Sequence, residues 1–318
     1  MKAKKLFKRL FLVVIILFVL LLGAMVAIPW FFKDDVLRVI KEQANAGMNA
    51  RLEFKDAGLS FFRQFPLLTI SVEDFSVKGV DAFEGIELAG GERLELSFRL
   101  MELLGSDRVP TIRALHLEKP RVHILVLSDG TANYDIAKTS GEEETATTTE
   151  EDYDLLSLKE YSISGGDIVY DDRQMDFYLA MNGLEHEGKG HFTANTYDLD
   201  TRSEVQALTL GYGGVRYLKQ VKAELIAGLL MDLSKMRFDL RENQLMLNAL
   251  PLKLDGYLAL PEDAIEMDLK FSSPGSSFKE LFSILPDAYT PAYADAQVNG
   301  KFLLKGSVKG RMTEEEYP

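Results

Sequence analysis

The sequence predicts a mainly β protein in which one N-terminal transmembrane helix precedes a series of antiparallel strands and a few short helices. Three observations lead to this fold class. An uncharged apolar run covers residues 10–28 and is long enough to cross a bilayer. From residue 50 onward, apolar and polar residues alternate with a period of two through most of the chain. Gly, Pro, Asn and Asp punctuate these segments, as they do at turns between strands.

The apolar run LFLVVIILFVLLLGAMVAI extends from Leu10 to Ile28. As a helix it would span roughly 30 Å, the thickness of the hydrocarbon core. Trp30 follows it, at the depth where aromatic residues favour the membrane interface. Five basic residues precede the run: Lys2, Lys4, Lys5, Lys8 and Arg9. The positive-inside rule therefore predicts a single-pass anchor with a cytoplasmic N-terminus and the bulk of the chain across the membrane.

A cleaved signal peptide is the alternative to an anchor. Its apolar region would be about 7 to 15 residues long and would end in a small-x-small motif. The run here is longer. At the best candidate cleavage site, after Ala27, Met25 occupies the position where a small residue is expected. Both features favour a retained anchor.

Composition excludes several classes of function. The 318-residue chain has a formal net charge of −13, and the five basic residues of its tail make the remainder more acidic still. Such a surface repels nucleic acid and offers no basic patch to anionic headgroups. Since there are no cysteines, disulfides and thiolate chemistry are excluded. The hydrophobic content of 47% is that of a folded protein.

Changes in periodicity divide the chain into five segments. From the N-terminus they are a cytoplasmic basic tail (1–9), a transmembrane helix (10–31), an α+β segment (32–138), an acidic flexible loop (139–158) and a β-rich continuation (159–318). The α+β segment begins with an amphipathic helix over Asp34–Met48. Because the chain stops soon after a strongly patterned strand, we expect the native protein to continue past residue 318.

The alternation also predicts where strands and one later helix lie. In the first part, the phase slips at Glu73-Asp74, where we expect a bulge, and Lys119-Pro120 joins two consecutive strands. The strands predicted beyond the loop are 160–171, 174–182, 203–211, 221–232, 235–241, 244–249, 251–260, 264–272 and 297–308. A helix over Ser276–Leu285 begins with Ser277 and Glu280 at the spacing of a capping box.

Several strands carry a persistent apolar face. The residues predicted to line it are Leu94, Leu96, Phe98, Phe177, Leu179, Met267, Leu269 and Phe271. A sandwich or barrel would enclose this face, whereas an open, curved sheet would present it as an apolar groove. Alternation is compatible with both, since each places apolar residues on one side of every strand.

The histidines give little indication of catalysis or metal binding. His116 and His123 lie in consecutive predicted strands and could approach each other across a hairpin. His186 and His191 flank two glycines in HEGKGH, which suggests a hairpin turn, and their spacing does not match H-E-x-x-H.

Two further motifs are best explained as turns. The glycines of Gly211–Gly214 do not form G-x-G-x-x-G, and Asp171-Asp172 lies at a strand end. We therefore expect neither an enzyme nor a cofactor or bound metal.

Four features in order are similar to the AsmA family of bacterial envelope proteins. They are the anchor and short helix ending at Gly47-Met48-Asn49, the strand–turn–strand Leu52–Val77 with Phe65-Pro66 at its turn, the segments Glu92–Leu104 and Val109–Leu127 with L-x-x-P-x-V, and Asp129-Gly130 followed by Asn133-Tyr134-Asp135. Together they cover about residues 1–138. The family pattern often has Trp where this chain has Phe62.

The resemblance implies an open apolar groove and a role in outer-membrane biogenesis. A member of this family would sit in the inner membrane with its bulk in the periplasm. It would carry phospholipid or another acyl-chain lipid, in contact with an outer-membrane or envelope-assembly protein. The alternative is a membrane-tethered, closed β scaffold or assembly module of the envelope without lipid transport. An exported hydrolase is a third hypothesis.

Overall fold

The computed structural model describes residues 45–61, 67–99, 111–138, 158–192, 195–261, 264–285 and 299–312, and the single positions 23, 38, 41 and 42. Apart from Gly23, the predicted anchor Leu10–Ile28 lies outside these residues, as do Trp30 and the acidic segment Ser140–Asp154. Within the described part of the chain, no helix is long and apolar enough to cross a membrane.

The described strands all belong to one large, curved, 14-stranded sheet. They are β1 (Ala50–Glu53), β2 (Asp56–Ser60), β3 (Leu67–Gly79), β4 (Glu87–Arg99), β5 (Ile112–Glu118), β6 (Arg121–Val126), β7 (Glu160–Asp172), β8 (Phe177–Phe192), β9 (Thr196–Tyr212), β10 (Val215–Asp232), β11 (Arg237–Leu247), β12 (Leu250–Ala259), β13 (Ile265–Ser277) and β14 (Lys301–Met312). The prediction of a mainly β protein is confirmed.

The sheet is open and runs almost in chain order. Its strand order is β1-β3-β4-β5-β7-β8-β9-β10-β11-β12-β13-β14, while β2 pairs with β3, and β6 pairs with β4 and β7. Among the described strands, β1 and β14 are the two ends of this order and do not pair with each other. The described part of the chain therefore forms neither a closed barrel nor a two-sheet sandwich.

The predicted antiparallel sheet is mixed at one place, because β5 and β6 both run parallel to β7. They form one interrupted line: Glu118 pairs with Ser164 and Arg121 with Asp167, on either side of Lys119-Pro120. Pro120 has no N–H for a ladder, and Lys119 has a left-handed φ of 44°. This break resembles a turn in sequence, but the chain keeps its direction through it.

Left-handed residues also change which side chains face the core. The predicted change of phase at Glu73-Asp74 is present in the structure. No extra residue is inserted there, because Glu73 pairs with Arg93 and Phe75 pairs with Gly91 in the same register. Asp74 has φ 48°, so one residue in a left-handed conformation, instead of an inserted bulge residue, moves Phe75 onto the face of Val72.

The second half of the chain forms longer strands than predicted. β8 runs through the whole of His186–His191, so the hairpin expected there is wrong. The turn at Gly213-Gly214 is confirmed: both residues have positive φ, 56° and 72°, and they connect β9 to β10 in a two-residue hairpin.

One short helix, α1 (Phe278–Phe282), follows β13. Its predicted capping box is present, since Ser277 Oγ accepts from the Glu280 N–H at 3.3 Å and Glu280 Oε2 accepts from the Ser277 N–H at 2.7 Å. Ile284, just beyond α1, packs against the main hydrophobic cluster of the sheet.

The helical residues before β1 are tied to the sheet by side-chain hydrogen bonds. The Asn45 side chain accepts from the Leu52 N–H at 2.8 Å and donates to the Leu52 carbonyl at 3.3 Å, as a neighbouring strand would. Lys138 Nζ donates to the carbonyls of Asn45 and Ala46 at 3.2 and 3.0 Å. A cation at these last carbonyls stabilises a helix end, so this junction fixes the direction of the residues leading to β1.

Candidate functional site

One apolar face extends across the whole sheet. Residues paired across neighbouring strands point to the same side, so the register defines the face. One row of paired residues from β3 to β12 reads Val72, Leu94, Leu117, Ile163, His186, Ser203, Leu225, Leu245 and Leu252. The buried centre of this face is a cluster formed by Leu184, Val205, Val221, Ala223 and Leu247.

The structure brings the eight predicted lining residues to this same face. Leu94, Leu96 and Phe98 pair with Val72, Ile70 and Leu68. Phe177 and Leu179 pair with Tyr212 and Leu210, and Met267, Leu269 and Phe271 pair with Leu258, Gly256 and Leu254. Phe98 is buried, whereas the other seven are half-buried. Whether they contact lipid stays a prediction.

The opposite face is covered with charges. Its cross-strand ion pairs include Glu53–Lys78, Glu73–Arg93, Arg93–Glu118, Glu87–Arg121, Glu266–Arg311 and Asp268–Lys309. The hydrogen bond from Lys309 to Asp268 lowers the pKa of Asp268 and raises that of Lys309. This face is therefore solvated, and the sheet is amphipathic through its thickness.

Aromatic rings on the apolar face lie across glycines of the neighbouring strand. Phe75 covers Gly91, Tyr161 covers Gly188 and Phe271 covers Gly306; in each pair, a side-chain carbon on the glycine would overlap the ring. A flat ring thus shields the backbone that the glycine leaves bare.

A small polar cluster lies within the apolar face at β7–β9. We call Tyr161, His186 and Ser203 the His186 cluster. His186 Nδ1 lies 2.8 Å from Ser203 Oγ, and the rings of His186 and Tyr161 are 5.2 Å apart with an interplanar angle of 39°. Burial lowers the pKa of His186 and raises that of Tyr161, so both groups are neutral near pH 7.

The other candidate polar groups do not come together in one place. His116 and His123 do not meet across a hairpin, because they are seven residues apart along one line, about 23 Å. The turn predicted at Asp171-Asp172 is confirmed, since Asp172 Oδ1 accepts hydrogen bonds from the N–H groups of Gln174 and Met175. Asp172 is buried there.

The described residues contain no group of three or more His, Cys, Asp or Glu that could hold a metal ion. The hydrogen bond of His186 goes to Ser203. Among the residues that the structure describes, no carboxylate is hydrogen-bonded to this imidazole to orient it as a catalytic base. The His191 side chain lies outside the described part.

The structure shows what Asn133, the asparagine of the D-G-x-x-N pattern, does in the fold. It is 2% exposed, accepts from the Leu125 N–H at 2.9 Å and donates to the His123 carbonyl at 2.6 Å. β4 pairs only with the first two residues of β6. The Asn133 side chain therefore satisfies the edge of β6 where β4 does not reach.

An open sheet with one apolar and one charged face defines a class of amphipathic, groove-forming β proteins. Comparison with known families places this chain more narrowly. The AsmA family model matches residues 3–273. The chain belongs to the AsmA family. The match covers residues 3–138 of the region of resemblance and extends into β13. None of the curated proteins matches the chain.

Proposed function

We propose that this protein carries phospholipid along the apolar face of its sheet during outer-membrane biogenesis. In this proposal the helix Leu10–Ile28 anchors it in the inner membrane with a cytoplasmic N-terminus and the sheet in the periplasm. Membership of the AsmA family supports an association with the cell envelope and a possible part in lipid transport. An outer-membrane or envelope-assembly protein would receive the lipid.

The observation that carries this proposal is the continuity of the apolar face. Twelve strands follow one another in the main path of the sheet, which at about 4.8 Å per strand gives a surface about 50 Å long. A sixteen-carbon chain crossing water unshielded costs on the order of 12 kcal/mol, at about 0.8 kcal/mol per CH₂. An apolar surface removes most of this barrier without catalytic residues. The AsmA family is not known for enzymatic activity.

The closed scaffold gains less support from this fold. It requires an apolar face that is fully enclosed, whereas seven of the eight lining residues named above are only half-buried. The ends of the described sheet, β1 and β14, also lie apart in the strand order. An open face of this kind favours a bound apolar ligand.

Site-specific photo-crosslinking tests the proposal. A photoreactive amino acid replaces Leu179 or Leu269, each half-buried on the apolar face, and the purified full chain is illuminated with radiolabelled phospholipid vesicles. We expect lipid adducts at both positions, because acyl chains would lie against them.

The matched controls are Tyr178 and Lys270, the neighbours of these residues on the charged face. Alternation within β8 and β13 puts them on the other side of the sheet at the same distance from its ends. Adduct yields should be several-fold lower there. Equal yields on the two faces, or no adducts at Leu179 and Leu269, would contradict transport along this face.

A further inference from the structure

The His186 cluster is a polar group in otherwise apolar surroundings. His186 pairs with Ile163 on one side and Ser203 pairs with Leu225 on the other. Leu184 and Val205, two residues away along β8 and β9, are each 5% exposed and belong to the buried cluster. A polar side chain placed among apolar neighbours loses hydration that hydrogen bonds must replace.

Among the described residues, one ring nitrogen of His186 has no hydrogen-bond partner. The hydrogen bond to Ser203 uses Nδ1. Within the described part of the chain, Nε2 has no hydrogen bond and is not among the buried polar atoms that lack one. Nε2 therefore reaches accessible space, and the His186 side chain lies on the apolar face.

The contact with Ser203 allows either tautomer of a neutral imidazole, because a serine hydroxyl rotates freely and can donate to Nδ1 or accept from it. When Ser203 donates, the ring proton is on Nε2. Tyr161 holds the imidazole from the β7 side, and Gly188 lets the Tyr161 ring lie across β8. The cluster then presents a neutral N–H donor to the groove, held by Ser203 and Tyr161.

We propose that the His186 cluster binds the acyl-ester carbonyl of a glycerolipid lying on the apolar face, with His186 Nε2–H as the donor. The inference rests on the proposed function and names the part of the lipid that is recognised. An ester carbonyl is an acceptor without a donor of its own, so in an apolar groove it requires one from the protein. A neutral donor satisfies it without attracting the phosphate, which stays in water beyond the groove.

A comparison of ester- and ether-linked lipids tests this inference. Dipalmitoyl phosphatidylglycerol and its dihexadecyl ether analogue share headgroup and chain length, but the ether lacks both carbonyls. Each competes with a fluorescent phospholipid for the purified full chain in mild detergent. We expect the wild-type protein to prefer the ester about three- to tenfold, the effect of one hydrogen bond.

The His186→Leu substitution should reduce this preference to about one while leaving ether binding unchanged. His186→Gln, which keeps a donor, should restore part of the preference. The matched control is His116→Leu, since His116 Nδ1 makes a similar contact with Ser162 Oγ, at 2.7 Å, on the charged face. It should retain the full preference.

The outcomes separate the inference from the proposed function. If neither lipid binds to the wild-type chain, lipid carriage itself is wrong. If both bind equally, or if His186→Leu keeps the ester preference, lipid carriage stands and recognition by His186 is wrong. Circular dichroism of each variant checks that its strand content is unchanged. If His186→Leu does not fold, Ser203→Ala takes its place: it removes the hydrogen bond to His186 Nδ1 and should lower the preference for the ester.

Discussion

The two faces of this sheet are built from the same strands, yet they differ in how their side chains are constrained. On the apolar face, side chains from many strands pack into one cluster, and rings fill the space above glycines. On the charged face, ion pairs join exposed side chains, as in Glu266–Arg311. Exposed pairs contribute little because water competes with them. Fold stability should therefore depend on one face and solubility on the other.

The largest difference between the faces should appear at Val221 and Lys222, which are consecutive in β10. Val221 is 2% exposed within the buried cluster. The substitution Val221→Asp places an unpaired carboxylate among Leu and Val side chains, so we expect a loss of more than about 4 kcal/mol in the free energy of unfolding, or no folding. Urea denaturation of the full chain in detergent, followed by circular dichroism, measures it.

Lys222→Gln is the control on the charged face. It removes the exposed ion pair with Glu224, at 2.7 Å, and leaves the backbone hydrogen bond from Lys222 to Asn248 intact. The unfolding midpoint should be almost unchanged. Comparable losses for the two variants would mean that both faces stabilise the fold equally.

A smaller effect should follow from Gly188→Ala. The added methyl group would overlap the Tyr161 ring, and overpacking of this kind costs about 1–3 kcal/mol of unfolding free energy. Tyr161→Leu should recover part of that loss in the double variant, because the smaller side chain makes room. Urea denaturation of the two single variants and the double variant measures the coupling.

Gly211→Ala controls for the loss of a strand glycine. Its nearest neighbours would be 3.5 Å or more from the new carbon, an ordinary contact distance. Alanine there should be neutral or stabilising by about 0.5 kcal/mol. If Tyr161→Leu gives no recovery, the ring is not what excludes a side chain at Gly188.

The sequence predicted the strands and their apolar face well, because alternation depends only on neighbours within a strand. The eight lining residues share a face for this reason. Pairing between strands was harder to predict. The parallel contact of β5 and β6 with β7 depends on residues separated by the segment 139–158, and Lys119-Pro120 resembles a turn although the chain continues straight.

The His186 cluster was missed for a related reason. The glycines of HEGKGH suggest a turn when they are considered alone, but Gly188 is needed inside β8 because the Tyr161 ring of β7 lies over it. No local pattern shows that Tyr161 and Ser203 flank His186. A polar residue in phase with Leu184 within an apolar strand face is the signal that could have identified the position.

The smallest predicted difference between the faces concerns pH. Burial lowers the pKa of His186, and this effect is larger than the increase in pKa caused by the nearby Glu187 carboxylate. The folded protein therefore favours the neutral imidazole. The unfolded chain titrates near pH 6.5 and binds this proton more readily. The contribution to stability is therefore complete above about pH 6.5 and declines as the pH falls below it. Urea denaturation between pH 5 and 8 should show this slope in the wild-type chain and a flatter one in His186→Gln. If the two slopes are identical, His186 is as well hydrated as a residue on the charged face, and the two faces differ less at β8 than the packing indicates.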